Sequence, residues 1–157
     1  MPDLHPSVAS LGFLLGEWTG EGVGVYPTIT PFTYGETVNF THAGKPFLAY
    51  AQRTWRTGDH PDAGSPLHSE TGYLRLDGDR LELVIAQPTG IVEVDEGTIT
   101  GTSLALRSVT VATTSTARPV VSVERHLTVD GGTLRYQLWM GAVGQRHQIH
   151  LEATLHR

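Results

Sequence analysis

From residue 16 onward, turn-forming clusters cut the chain at intervals of roughly ten residues, and the segments between them alternate apolar and polar side chains. The clusters include Ala43-Gly44-Lys45, Asp77-Gly78-Asp79 and Asp130-Gly131-Gly132, whose residue types suit tight reversals of extended backbone. Strand-like segments fall at 16–24, 34–42, 46–56, 67–76, 80–87, 91–95, 98–109, 120–129, 134–140 and 145–156. No helical segment separates them, so parallel crossovers are excluded and the sheet must be antiparallel, a barrel or a sandwich. A closed sheet ends by pairing its last strand with its first, which gives the terminal segment 147–156 a structural role. Only residues 1–15 read as a helix: Pro6-Ser7 starts it, Val8, Leu11, Leu14 and Leu15 form its stripe, and Gly16 ends it. It is expected to pack as a lid on one end of the sheet. Residues 57–65 and 113–119 are expected to be exposed loops, and Tyr26 to Pro31, with two prolines, a loop at a barrel mouth.

Length and charge narrow the functional classes. A chain of 157 residues is about one domain, residues 1–157, with enough length to enclose a core. Net charge is -5, Lys45 is the only lysine, and no basic cluster is present, which argues against nucleic acid as a partner. Without cysteine there is no disulfide framework, thiol nucleophile, thiolate metal site or iron–sulfur cluster. No apolar run is long enough to span a bilayer, and Met1-Pro2-Asp3 begins no signal peptide, so a cytoplasmic protein is expected.

Alternation assigns the faces. In 80–87 Leu81, Leu83 and Ile85 point one way and Gln87 continues their row, so a polar amide is projected inward where it must find a partner. In 134–140 the inner row is Leu134, Tyr136, Leu138 and Met140. Gly16, Trp18, Gly20, Gly22 and Gly24 share a face of the first strand, a bare floor around one indole that fits sharp coiling and leaves space for a flat ligand. Asp77, Asp79 and Asp95 read as turn or surface acids and give no carboxylate pair for hydrolysis. No phosphate-binding loop, dinucleotide fingerprint or nucleophile elbow occurs.

Five blocks in order carry a resemblance. They are Gly16-Glu17-Trp18-Thr19-Gly20-Glu21-Gly22; Tyr26-Pro27-Thr28-Ile29 with Tyr34-Gly35-Glu36, Gly44-Lys45-Pro46-Phe47-Leu48 and Gln52-Arg53-Thr54-Trp55; Pro66-Leu67-His68-Ser69-Glu70-Thr71-Gly72-Tyr73-Leu74-Arg75; Ile85-Ala86-Gln87-Pro88-Thr89-Gly90; and His150-Leu151-Glu152-Ala153-Thr154-Leu155. Together they resemble the nitrobindin family, small all-β proteins that hold haem b in a single ten-stranded antiparallel barrel. The resemblance implies that His150 is the axial ligand to haem iron and that Thr28 contacts the haem. It places His68 and Gln87 as polar residues on the distal side, with Leu67 and Met140 as apolar neighbours; Leu67 stands where some relatives carry methionine. It also implies a ferric haem protein that isomerises peroxynitrite to nitrate and binds nitric oxide at the same site; a monomer or homodimer is expected.

Two points temper a reading by histidine position alone. On simple alternation Ile149, Leu151, Ala153 and Leu155 form the apolar face of the last strand, which turns His150 outward; a bulge near 144–150, or a covered outer face, would restore it. His147 and His150 face opposite ways, and His150 and His156 lie roughly 20 Å apart along a strand, so neither pair chelates a metal ion. The other functional class that fits is a lipocalin-like or fatty-acid-binding-like barrel carrying an apolar small molecule without haem.

Overall fold

The computed structural model describes residues 1–157 and is a closed barrel of ten antiparallel strands. They are β1 (Gly16–Tyr26), β2 (Ile29–Thr41), β3 (Leu48–Arg56), β4 (Pro66–Asp77), β5 (Arg80–Gln87), β6 (Ile91–Thr100), β7 (Ser103–Thr113), β8 (Val120–Asp130), β9 (Thr133–Ala142) and β10 (Gln148–His156). Each pairs with its neighbours in sequence, and β10 closes the ring against β1 with Thr19 opposite His156 and Gly24 opposite Leu151. Closure gives every strand a partner on both sides, although β7 and β8 pair only through Ser103–Arg107 against Glu124–Thr128 and part beyond them. The tight hairpins are built on glycines in the left-handed region, such as Gly78 (φ 65°) and Gly131 (φ 59°), where a side chain would be strained.

One end of the barrel is plugged. Trp18, Leu48, Leu81, Leu134 and Leu155 are fully buried there, and Val8, Leu11 and Leu14 of the N-terminal helix join the same core. The expected helix is present over Pro6–Leu14 and is of the 3-10 type. Its buried residues recur every third position, the 3-10 period, and Leu15 falls outside it as the C-cap. Burying each such side chain stabilises by about 1.5–3 kcal/mol, which holds a helix type that is weak alone. The Trp18 indole N–H donates to the Leu14 carbonyl at 2.7 Å and ties the lid to β1.

The bare glycine face of β1 serves close approach and not ligand space. A Cβ on Gly20 would meet the backbone of Thr154 and Leu155 in β10, one on Gly22 the Tyr34 ring, and one on Gly24 the Phe32 ring. Inner space left by the absent side chains is thus filled from β2. The mouth segment is a Pro27-Thr28 turn between long strands, and Pro31 lies within β2. A further correction concerns Asp95. Asp77 and Asp79 are exposed at the β4–β5 turn as expected, but Asp95 is fully buried inside the barrel. Residue 95 alternates with Ile91 and Glu93, so β6 carries acids on its inner face and continues to Thr100. No helix of the molecule is long and apolar enough to cross a membrane.

Candidate functional site

Away from the plug, a cavity of about 1050 Å³ opens among the connections β1–β2, β3–β4, β5–β6 and β7–β8, a size at the upper end of small-molecule pockets. His150 stands in its wall. The pairing of β10 with β9 slips between Ile149, opposite Trp139, and Leu151, opposite Leu138, so β10 carries one extra residue there. This bulge resolves the conflict over faces: His150 and Leu151 both line the cavity, while Ile149 is displaced from the inner row to pair with Trp139.

The ring is held in one orientation. Pairing of β1 with β10 ends at Gly24–Leu151, one step short of Val25, and the Val25 carbonyl accepts a hydrogen bond from His150 Nδ1 at 2.9 Å. With the proton on Nδ1, Nε2 keeps its lone pair. Tyr26 packs edge-on against the imidazole, ring centres 5.3 Å apart and planes at 72°. Its own hydroxyl donates to the Met140 carbonyl at 3.1 Å and accepts from the Ala142 N–H at 2.9 Å. Burial lowers the pKa of His150, outweighing the Val25 contact, and so favours the neutral ring that a metal ligand must be. His156 is exposed on the outer face, and His147 bonds Ser122 and Glu124 outside the barrel.

Round the ring of ten strands, β10 is followed by β1, β2, β3 and β4, then β5, so His68 on β4 and Gln87 on β5 face His150 across the cavity. Leu67 and Met140 line the same cavity. Thr28 does not: it is exposed at the β1–β2 turn, beside Ile29 and Thr30, which do line it.

Sequence reasoning missed the floor. Beneath His68 and Gln87 lies a buried ionic layer centred on Arg125, the inward-facing cation of β8. Its Nη1 donates to Glu70 Oε1 at 2.7 Å, its Nε and Nη2 grip Glu93 at 3.0 Å each, and Asp95 Oδ2 is 3.4 Å from Nε. Glu70, 3% exposed, also receives the Tyr50 hydroxyl at 2.8 Å, His68 Nε2 at 3.2 Å and Gln87 Nε2 at 3.3 Å. Burial pushes the Glu70 carboxyl upward, but the Arg125 charge and the hydrogen bonds from His68 and Arg125 overcome it and hold it well below the ordinary range. Burial raises Asp95, with Glu93 beside it adding repulsion. Burial likewise lifts Glu36, hydrogen-bonded by the Gln52 amide, to about 7. The signal was available: Val123, Arg125, Leu127 and Val129 alternate along β8, placing a charge in an apolar row.

A closed barrel that holds one oriented imidazole in a largely apolar cavity belongs to the class of proteins that bind a small molecule or prosthetic group inside the barrel. The oriented Nε2 is a nitrogen donor of the kind that haem iron takes. The chain belongs to the family described as THAP4-like, heme-binding β-barrel domain, whose model matches residues 7–157. It is 52% identical over 160 residues to peroxynitrite isomerase 2 of Mycobacterium avium, covering 99% of this chain and 97% of that one. Peroxynitrite isomerase 1 of Mycobacterium tuberculosis H37Rv is 48% identical over 163 residues with the same coverage. The crystal structure of Rv2717c from M. tuberculosis superposes with a TM-score of 0.90 at 47% identity, covering 99% of both chains.

Proposed function

We infer that this chain, as one haem-binding domain of residues 1–157, ligates haem b through His150 Nε2 and isomerises peroxynitrite to nitrate, the activity for which its mycobacterial relatives are named. The observation that carries the assignment is the Val25–His150 hydrogen bond at 2.9 Å, which leaves an aimed, unprotonated nitrogen in the cavity wall. A carrier of apolar molecules has no need of the bulge that turns this imidazole inward. Bound there, haem supplies the iron chemistry that rearranges the oxygen atoms of peroxynitrite with no net gain or loss of electrons.

The chain's own contribution is positional. Val25 and Tyr26 hold the imidazole, and Leu138, Met140 and Leu151 give dry walls that keep water from the reacting fragments. His68 and Gln87 stand opposite His150, where a small ligand would sit. Nitric oxide is expected as a second ligand of the same position, Thr28 as a contact at the haem edge, and the cytoplasm as the setting.

Protein purified after haem supplementation should show a Soret band and accelerate peroxynitrite decay. His150→Ala should lose both while keeping its far-UV spectrum, and His156→Ala should keep them. Full haem occupancy in His150→Ala would defeat the assignment.

A further inference from the structure

Two cavity-facing polar side chains opposite His150 share one neighbour. The buried carboxylate of Glu70 meets the His68 ring at Nε2 (3.2 Å) and the Gln87 amide nitrogen (3.3 Å), and that same nitrogen is 3.3 Å from Glu93 Oε1. The Gln87 orientation follows from chemistry: a carbonyl oxygen turned toward two carboxylates would be repelled, so the NH₂ must face them and spend both hydrogens there. Its carbonyl oxygen is left for the cavity. In a neutral His68 the proton likewise sits on Nε2, directed at Glu70, and Nδ1 keeps only a lone pair. Arg125 fixes the carboxylate itself, donating at 2.7 Å and 3.4 Å, and Tyr50 adds a third donor at 2.8 Å. Every donor in reach of Glu70 is thus drawn down into the floor.

We propose that Glu70 is a positioning residue that turns His68 and Gln87 into hydrogen-bond acceptors, so that the wall opposite His150 favours small neutral ligands and disfavours retained anions. This rests on the haem assignment above and deepens it. An anion held at iron gains when a neighbour donates a hydrogen bond to it and loses when lone pairs face it; bonds to charged groups are the stronger kind. A neutral diatomic ligand is largely indifferent to the choice. Peroxynitrite and nitrate, both anions, meet the same acceptor-lined wall: the wall holds neither, so the product does not accumulate on the site.

The test has two independent arms. In the haem-free wild-type protein, ¹⁵N-resolved imidazole spectra should show His68 protonated at Nε2 and bare at Nδ1, with this preference lost in Glu70→Gln. In haem-loaded ferric protein, azide titrated against the Soret band should bind Glu70→Gln about tenfold or more tightly than wild type. Nitric oxide affinity should stay within about threefold, a split that general loosening of the barrel would not produce. Glu70→Asp, which keeps the acceptor charge, should stay on the wild-type side of that split. His68 protonated at Nδ1 in the wild type, or equal azide affinity in wild type and Glu70→Gln, would overturn the proposal. Failure of the chain to take up haem would instead count against the haem assignment, and the first arm would still decide what Glu70 does to His68.

Discussion

Replacing Glu36 by glutamine should stabilise the protein increasingly as pH rises. Glu36 is fully buried on β2, and its carboxyl is lifted from 4.5 to about 7, chiefly by burial and against the pull of Tyr136 and Gln52. Well below pH 4.5 the group is protonated in folded and unfolded chains alike and costs nothing. Between the two values only the unfolded chain releases its proton, so stability falls as pH rises; above about 7 the loss is complete. Lifting the pKa from 4.5 to about 7 corresponds to about 3 kcal/mol in full, of which about 2 kcal/mol develops between about pH 5.5 and 8.5. Glutamine has the same shape and no charge, and the Gln52 amide facing it can rotate to offer either its oxygen or its nitrogen. Urea unfolding of haem-free wild type and Glu36→Gln, followed by tryptophan fluorescence at both pH values, gives the difference directly. Subtracting the variants removes the opposite contribution of His150, whose lowered pKa adds stability as pH rises toward neutrality. A difference that stays flat with pH would show that Glu36 is held ionised by its neighbours, and the burial argument would be wrong.

Three further outcomes are expected. Gly20→Val should cost at least about 2 kcal/mol, because its Cβ would strike the Thr154 carbonyl and lie 2.8 Å from Leu155 Cα; an unchanged thermal midpoint would mean that β1 and β10 separate freely. Arg125→Met should cost about 3–5 kcal/mol by leaving Glu70 and Glu93 buried without their cation, as urea unfolding would measure. His68→Leu and Gln87→Leu should change peroxynitrite decay in stopped flow by less than about tenfold, since acceptors contribute little where the metal carries the chemistry. A loss of several orders of magnitude with the Soret band intact would make His68 an acid–base catalyst.

The strands were legible because alternation and turn residues are local signals, and a short two-residue period survives without knowledge of the partner strand. The bulge at His150 was legible only as a contradiction: the apolar row Ile149, Leu151, Ala153 and Leu155 pointed the histidine outward, and only pairing with β9 shows which residue is extra. The N-terminal helix was legible from its apolar stripe, though its 3-10 form was not, because Leu15 extends the stripe beyond the buried row Val8, Leu11 and Leu14. Asp95 was misread because acids near a predicted strand end look like turn residues; its buried carboxyl, raised in pKa, sits in the layer around Arg125, thirty positions away in sequence and two strands along the barrel. Buried ion pairs of this kind join strands that composition treats separately.

The seam between β1 and β10 sets an order of events. Val25 orients His150 only once the first and last strands of the barrel have met. Every other strand pairing joins neighbours in sequence, so the seam demands the longest loop closure in the molecule and the greatest chain entropy. An incomplete chain therefore lacks an aimed imidazole. Pigment would enter only a finished barrel, and refolding should show haem absorbance lagging the far-UV signal of the sheet.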